Sequence, residues 1–117
     1  MMGEWEAEPD RVAFEASGFK CVILRHPSFG HLCGYIAAPK FAEDGGPYVH
    51  GEWTYSEDHL PNMKCDGLWW NGFDCAHAGD FLPKSANRSI GIYRNIVFVR
   101  TELERVAAEL AAQSDGS

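Results

Sequence analysis

The chain has 117 residues, 45% of them apolar and 13% aromatic, which suffices for one compact core and falls short of two domains. With 23% charged residues it lacks the composition of a disordered protein. A formal net charge of −7 argues against direct nucleic-acid binding, because gripping phosphate backbone requires clustered Lys and Arg, whereas it suits docking on a basic partner.

Residues 1–10 form an acidic N-terminal arm carrying Glu4, Glu6, Glu8 and Asp10. No basic stretch followed by an apolar one opens the chain, and no apolar run approaches the ~18 residues needed to span a bilayer. A cytoplasmic protein without membrane contact is therefore expected. The four cysteines, Cys21, Cys33, Cys65 and Cys75, are far apart with no CxxC pair and read as reduced thiols.

"RVAFEASGFKCVILRH" contains two β-rich runs around Ser17-Gly18 and predicts a hairpin. After the "PSFG" turn, "HLCGYIAAP" predicts a third strand, with His31, Cys33 and Tyr35 on one face and Leu32, Gly34 and Ile36 on the other. "YVHGEWTYS" predicts a fourth, with His50, Glu52 and Thr54 opposite Val49, Gly51, Trp53 and Tyr55. "LWWNGFDCAH" predicts a fifth, and residues 78–90 form a long irregular connection of the kind that often carries function. Val99, Leu103, Val106 and Leu110 recur at helical spacing, giving an amphipathic helix of about five turns. Its start is open, since "IVFV" at 96–99 also suits a short strand, and residues 111–117 read as a frayed tail. The whole is an α+β single domain over residues 1–117, a four- to five-stranded mainly antiparallel sheet with one C-terminal helix packed on a face.

Chemistry-bearing residues gather at strand ends. His31, Cys33, His50, Cys75 and His77 are the types of ligand that zinc takes, although none has the tight spacing of a zinc module. Asp74, His77 and Asp80 suggest an acid–base group in which a carboxylate orients an imidazole, and Cys75 beside His50 or His77 suggests a nucleophile with its base. The same residues also describe a polar turn and buried thiols. Adjacent Trp69 and Trp70 must point to opposite faces of a strand, so one belongs to the core. The other lines either a binding surface that Trp53 and Tyr55 could extend, with Thr54 a further candidate binding residue, or a second small core. Arg88 and Arg94, in a stretch from Lys84 to Arg100 whose only charges are basic, are the best partners for an anionic ligand.

"GHLCGYIAAP", "VHGEWTYS", "LWWNGFDCAHAGD" and "YRNIVFVRTELERVAAEL" resemble a family of small proteins of tailed bacteriophages and prophages with GHxCGY, VHGGxTxS and WWxGFDCAHxGD segments. The resemblance covers most of residues 30–110. It departs from the pattern at Glu52, where the family has a second glycine. It implies a context more than a mechanism: an accessory protein of the bacterial host's cytoplasm that binds a host protein partner, an anti-CRISPR or other anti-defence inhibitor among the possibilities. The alternative is a pocket that binds a metal or a nucleotide-like small molecule, with His50, Asp74 and His77 as its working groups and hydrolysis or signal sequestration as its use.

Overall fold

A computed structural model describes residues 4–41, 46–77, 80–84 and 91–115, with residues 114 and 115 described by backbone only. The elements are α1 (Glu4–Ala7), β1 (Arg11–Ala16), β2 (Phe19–Arg25), β3 (Leu32–Ala37), β4 (Tyr55–Glu57), β5 (Trp70–Asp74) and α2 (Ile96–Asp115). The five strands make one sheet in the order β1-β2-β3-β5-β4, and every pairing is antiparallel. With α2 packed on one face, the domain is the α+β arrangement expected from the sequence. No helix among the described residues is long and apolar enough to cross a membrane.

The β1–β2 hairpin turns through Ser17 at φ 49° and Gly18 at φ 87°, the two successive left-handed residues that a tight turn matching the sheet's twist requires. Alternation along the strands then sorts the side chains. Cys21, Ile23, Leu32, Ile36 and Phe73 face α2 and close on Val99, Leu103, Val106 and Ala107, the main core. Residues 96–99 are the first turn of α2 rather than a strand. Asn95 caps that turn, its Oδ1 accepting the Phe98 N–H at 2.8 Å, and the Glu8 carboxylate accepts the Ile96 N–H at 2.8 Å. The helix continues through residues 111–115, part of the stretch expected to fray.

The opposite face carries a second cluster of Val22, Cys33, Tyr35, Leu60 and Trp70, covered by the β4–β5 connection. Trp70 is thus a core residue at 3% exposure, its Nε1 donating to Asp66. Trp69 is half-buried, donating Nε1 to Ser56 Oγ at 2.9 Å beneath the Lys40 ammonium.

The expected fourth strand is much shorter than its alternation suggests. Only Tyr55–Glu57 is extended and paired. Upstream, Gly51 at φ 72° and Glu52 at φ 76° are both left-handed, and the Glu52 N–H bonds back to the Val49 carbonyl at 3.3 Å, so His50 lies in a turn. Beyond the turn, Trp53 and Tyr55 go to different clusters. Trp53 packs edge-on against Phe41 and Phe73 in the main core and donates Nε1 to the Pro47 carbonyl, while Tyr55 joins the second cluster. They do not extend a common aromatic surface.

Candidate functional site

β5 ends beside the start of β3, with Cys33 opposite Asp74 in register and the Cys75 N–H bonded to the Leu32 carbonyl at 3.1 Å. Beyond this end the chain turns sharply. Asp74 Oδ1 accepts the Ala76 N–H at 3.2 Å, the Asp80 N–H returns to the His77 carbonyl at 2.9 Å, and residues 80 and 81 pair with Ile92 just before α2. That pairing brings Asp80 beside Arg94. From the other side, α2 holds the His50 turn: Glu102 Oε1 accepts the His50 N–H at 3.1 Å, and Arg105 joins Glu102 to the Tyr48 carbonyl.

The result is a polar cluster centred on Asp80, whose side chain has 0% exposure. Its Oδ2 accepts from His50 Nε2 at 2.8 Å and from the His77 N–H at 3.1 Å, and its Oδ1 accepts from Arg94 Nε at 2.9 Å. Burial opposes ionisation of this carboxyl, but the hydrogen bonds from His50, Arg94 and the His77 backbone outweigh it and hold the group below its ordinary range. A carboxylate only accepts, so a neutral His50 donates through Nε2 and keeps its lone pair on Nδ1. The His50 ring meets the His77 ring edge-on at 5.8 Å and the Phe98 ring at 5.1 Å. His77 in turn places Nε2 3.1 Å from Asp74 Oδ1, an ion-pair distance without the alignment of a hydrogen bond, so this buried nitrogen has no aligned partner among the described residues.

On the second-cluster face, Asp74 also lines a cleft of about 380 Å³ with His26, His31, Thr54 and Tyr55. His26 stacks on Phe29 at 5.3 Å and on His31 at 4.7 Å, giving the cleft a wall of flat rings. His26 Nδ1 accepts the Ser28 and Phe29 N–H groups, which fixes its ring. His31 is 3% exposed, and its buried Nδ1 has no partner among the described residues. Burial, reinforced by His26, lowers its pKa from the ordinary value despite Asp74 and Asp80, so the ring is neutral at pH 7.

His50, Asp74, His77, Asp80 and Arg94 are thus brought together, and His31 and Thr54 stand on the adjoining cleft. Cys75 and Cys33 lie in the main core and the second cluster, where burial pushes the Cys33 thiol up to about 12 and raises Cys75 as well. A thiol held protonated is a poor nucleophile. Arg88 lies outside the described residues, and Arg94 is committed to Asp80 with its guanidinium 4.8 Å over the Phe98 ring. No three of His31, Cys33, His50, Cys75 and His77 converge as metal ligands among the described residues. The set that does is Asp58, His59 and Cys65. The "DHLPNMKC" spacing, with Pro61 and Asn62 bending the chain between ligand types, was the available signal. Glu102 and Phe98 were legible only as helix positions.

No protein family, curated protein or solved structure matches this chain.

Proposed function

We propose that the protein binds a small molecule carrying a planar, nitrogen-rich ring, nucleotide-like in character, in the cleft at the β3–β5 end, where Asp74 faces it with His77 behind. The observation that carries this reading is that Asp74 belongs to both structures, lining the cleft and standing 3.1 Å from His77 in the Asp80-centred cluster. The stacked His26 and Phe29 rings suit a flat ligand, and Asp74 supplies an acceptor for its ring N–H groups. Asp80, wholly buried and saturated with donors, orients His50 and anchors the turn that carries His77.

The test is a thermal-shift and calorimetric screen of the full chain against nucleosides, nucleotides and free bases. At least one is expected to raise the melting temperature saturably, with the effect lost in Asp74→Ala and His31→Ala. If no such compound shifts wild-type stability at millimolar concentration, this reading fails.

The resemblance and the charge of −7 support a second reading, a phage accessory protein that docks on a basic host protein such as a defence complex. The acidic arm is also tied into the fold. Glu8 holds Tyr93 and the start of α2, Asp10 pairs with Arg25 at 2.8 Å, and Glu4 accepts from Asn95. Capture of a host partner that weakens with salt but persists in Asp74→Ala would favour this reading over the cleft.

A further inference from the structure

The β4–β5 connection carries a second cluster of chemistry, on a different part of the molecule from the Asp80 network. Leu60 is buried at 4% exposure and pins the middle of this connection into the second core. The chain then reverses: the Met63 N–H bonds the Leu60 carbonyl at 3.0 Å, and Asn62 at φ 60° and Gly67 at φ 83° supply left-handed bends. Asp66 receives the Leu68 N–H at 3.1 Å and the Trp70 indole N–H, and the Tyr55 hydroxyl donates to the His59 carbonyl. This reversal sets Cys65 beside Asp58 and His59, with one ligand atom of each within 4.8 Å of the other two.

We propose that Asp58, His59 and Cys65 form a zinc-binding site. A carboxylate oxygen, an imidazole nitrogen and a thiolate sulfur are the three donor types that zinc accepts, and three protein ligands leave one tetrahedral position open. Imidazole and thiolate are not ligands that calcium or magnesium favours. At metal–ligand distances of roughly 2.0–2.3 Å, tetrahedral donors lie about 3.3–3.8 Å apart. Asp58 Oδ1 and His59 Nδ1, now 2.9 Å apart, must separate by a few tenths of an ångström, and the widest pair closes by no more than about 1.5 Å from the 4.8 Å limit. Side chains as open as these, Asp58 at 59% and His59 at 36%, make that adjustment by rotamer change alone.

The competing role, a hydrogen-bonded knot in which Asp58 accepts from both His59 and Cys65, contributes little to the loop. Leu60, Asp66 and the Tyr55–His59 bond already hold it. On binding, the Cys65 thiol releases its proton to solvent, and His59 coordinates through Nδ1 with its proton on Nε2.

The experiment uses the full chain, freed of metal with a chelator and titrated with cobalt(II) as a spectroscopic probe and with zinc by calorimetry. One ion per chain is expected, with a thiolate-to-cobalt charge-transfer absorption that Cys65→Ser abolishes. His59→Ala and Asp58→Asn each weaken zinc binding at least about tenfold, no less than the loss of an outer-shell partner causes. All three positions are solvent-facing, and far-UV circular dichroism establishes that each variant is folded. A cobalt spectrum without the charge-transfer band, a band that survives Cys65→Ser, or zinc affinity unchanged in His59→Ala overturns the proposal.

Discussion

Asp80 accepts a 2.8 Å hydrogen bond from His50, 30 residues away in sequence, through a side chain with no exposed surface. Because Arg94 and the His77 N–H share the same carboxylate, its removal leaves a guanidinium, an imidazole and a backbone donor unpaired at once. Loss of one partner from a buried charged network costs about 3–5 kcal/mol. Asp80→Ala is therefore expected to lower unfolding free energy by about 3 kcal/mol or more, and the exposed control Glu15→Ala by less than about 0.5 kcal/mol. Urea denaturation measures both, and a loss below about 1 kcal/mol in Asp80→Ala would show that the network is not structural.

The same carboxylate sets an acid limit. The Asp80 carboxyl lies below its ordinary range in the folded chain, so between the folded value and the unfolded value of about 3.9 the unfolded state binds the extra proton. Its contribution is complete above pH ~4 and is lost as pH falls through the folded value. Asp80→Asn is expected to flatten the acid limb of unfolding free energy against pH, measured from about pH 2.5 to 6. An unchanged limb would assign the acid sensitivity to other carboxylates.

Cysteine accessibility separates the zinc loop from the core. Of the four thiols, only Cys65 is exposed. Burial pushes Cys21 and Cys33 up to about 12 and raises Cys75 as well, so each core thiol is both shielded and protonated. In the presence of a chelator, a disulfide reagent at about pH 8 should titrate one thiol per chain quickly and the others only in denaturant. Cys65→Ser should remove the fast phase. Rapid reaction of a second thiol would mean that one of the two cores opens readily.

The hairpin and α2 were legible because their signals are local. Ser17-Gly18 sits between two β-rich runs, and Val99, Leu103, Val106 and Leu110 mark one helix face. The 48–54 segment was not, because "YVHGEWTYS" alternates like a strand and nothing in a glutamate announces φ 76° at Glu52. The residues of the Asp80 cluster could be named from sequence, yet their partners could not. Asp80 reaches Arg94 only through its pairing with Ile92, and His50 is placed by Glu102 of a helix 52 residues away. Long-range hydrogen bonds of this kind leave no periodic trace. Trp70 shows a milder version: alternation required one buried tryptophan, but which loop covered it depended on Leu60.

The acidic arm is expected to act as a fastener. Glu8 uses both carboxylate oxygens, Oε1 accepting from the Tyr93 hydroxyl at 2.7 Å and Oε2 from the Ile96 N–H at 2.8 Å, where the helix dipole also favours a negative charge. Glu8→Ala should cost about 1–2 kcal/mol, the range of a lost helix cap, and Glu8→Gln less because the amide oxygen still accepts. Thermal and urea unfolding of the two variants checks the order. Equal stability of Glu8→Ala and wild type would return the arm to the role of a free docking element.

Gly51 offers the sharpest test of how tightly the site is built. A Cβ at this position would overlap His77 Cδ2 and Nε2, on a backbone at φ +72°. Gly18 has a similar φ of +87°, but a methyl group added there meets nothing within 4 Å, so Gly18→Ala isolates the backbone strain, about 1 kcal/mol. Gly51→Ala carries the same strain and must also expel the His77 ring, adding about 1–3 kcal/mol of overpacking. It should therefore destabilise more than Gly18→Ala and shift the His77 ring resonances in NMR spectra, while Gly18→Ala leaves those resonances in place. With His77 displaced from Asp74, ligand-induced stabilisation should fall in Gly51→Ala and persist in Gly18→Ala. Equal destabilisation by the two substitutions, with unmoved His77 resonances, would mean that the imidazole does not rest on Gly51 in solution and that the Asp74–His77 contact is not held by packing.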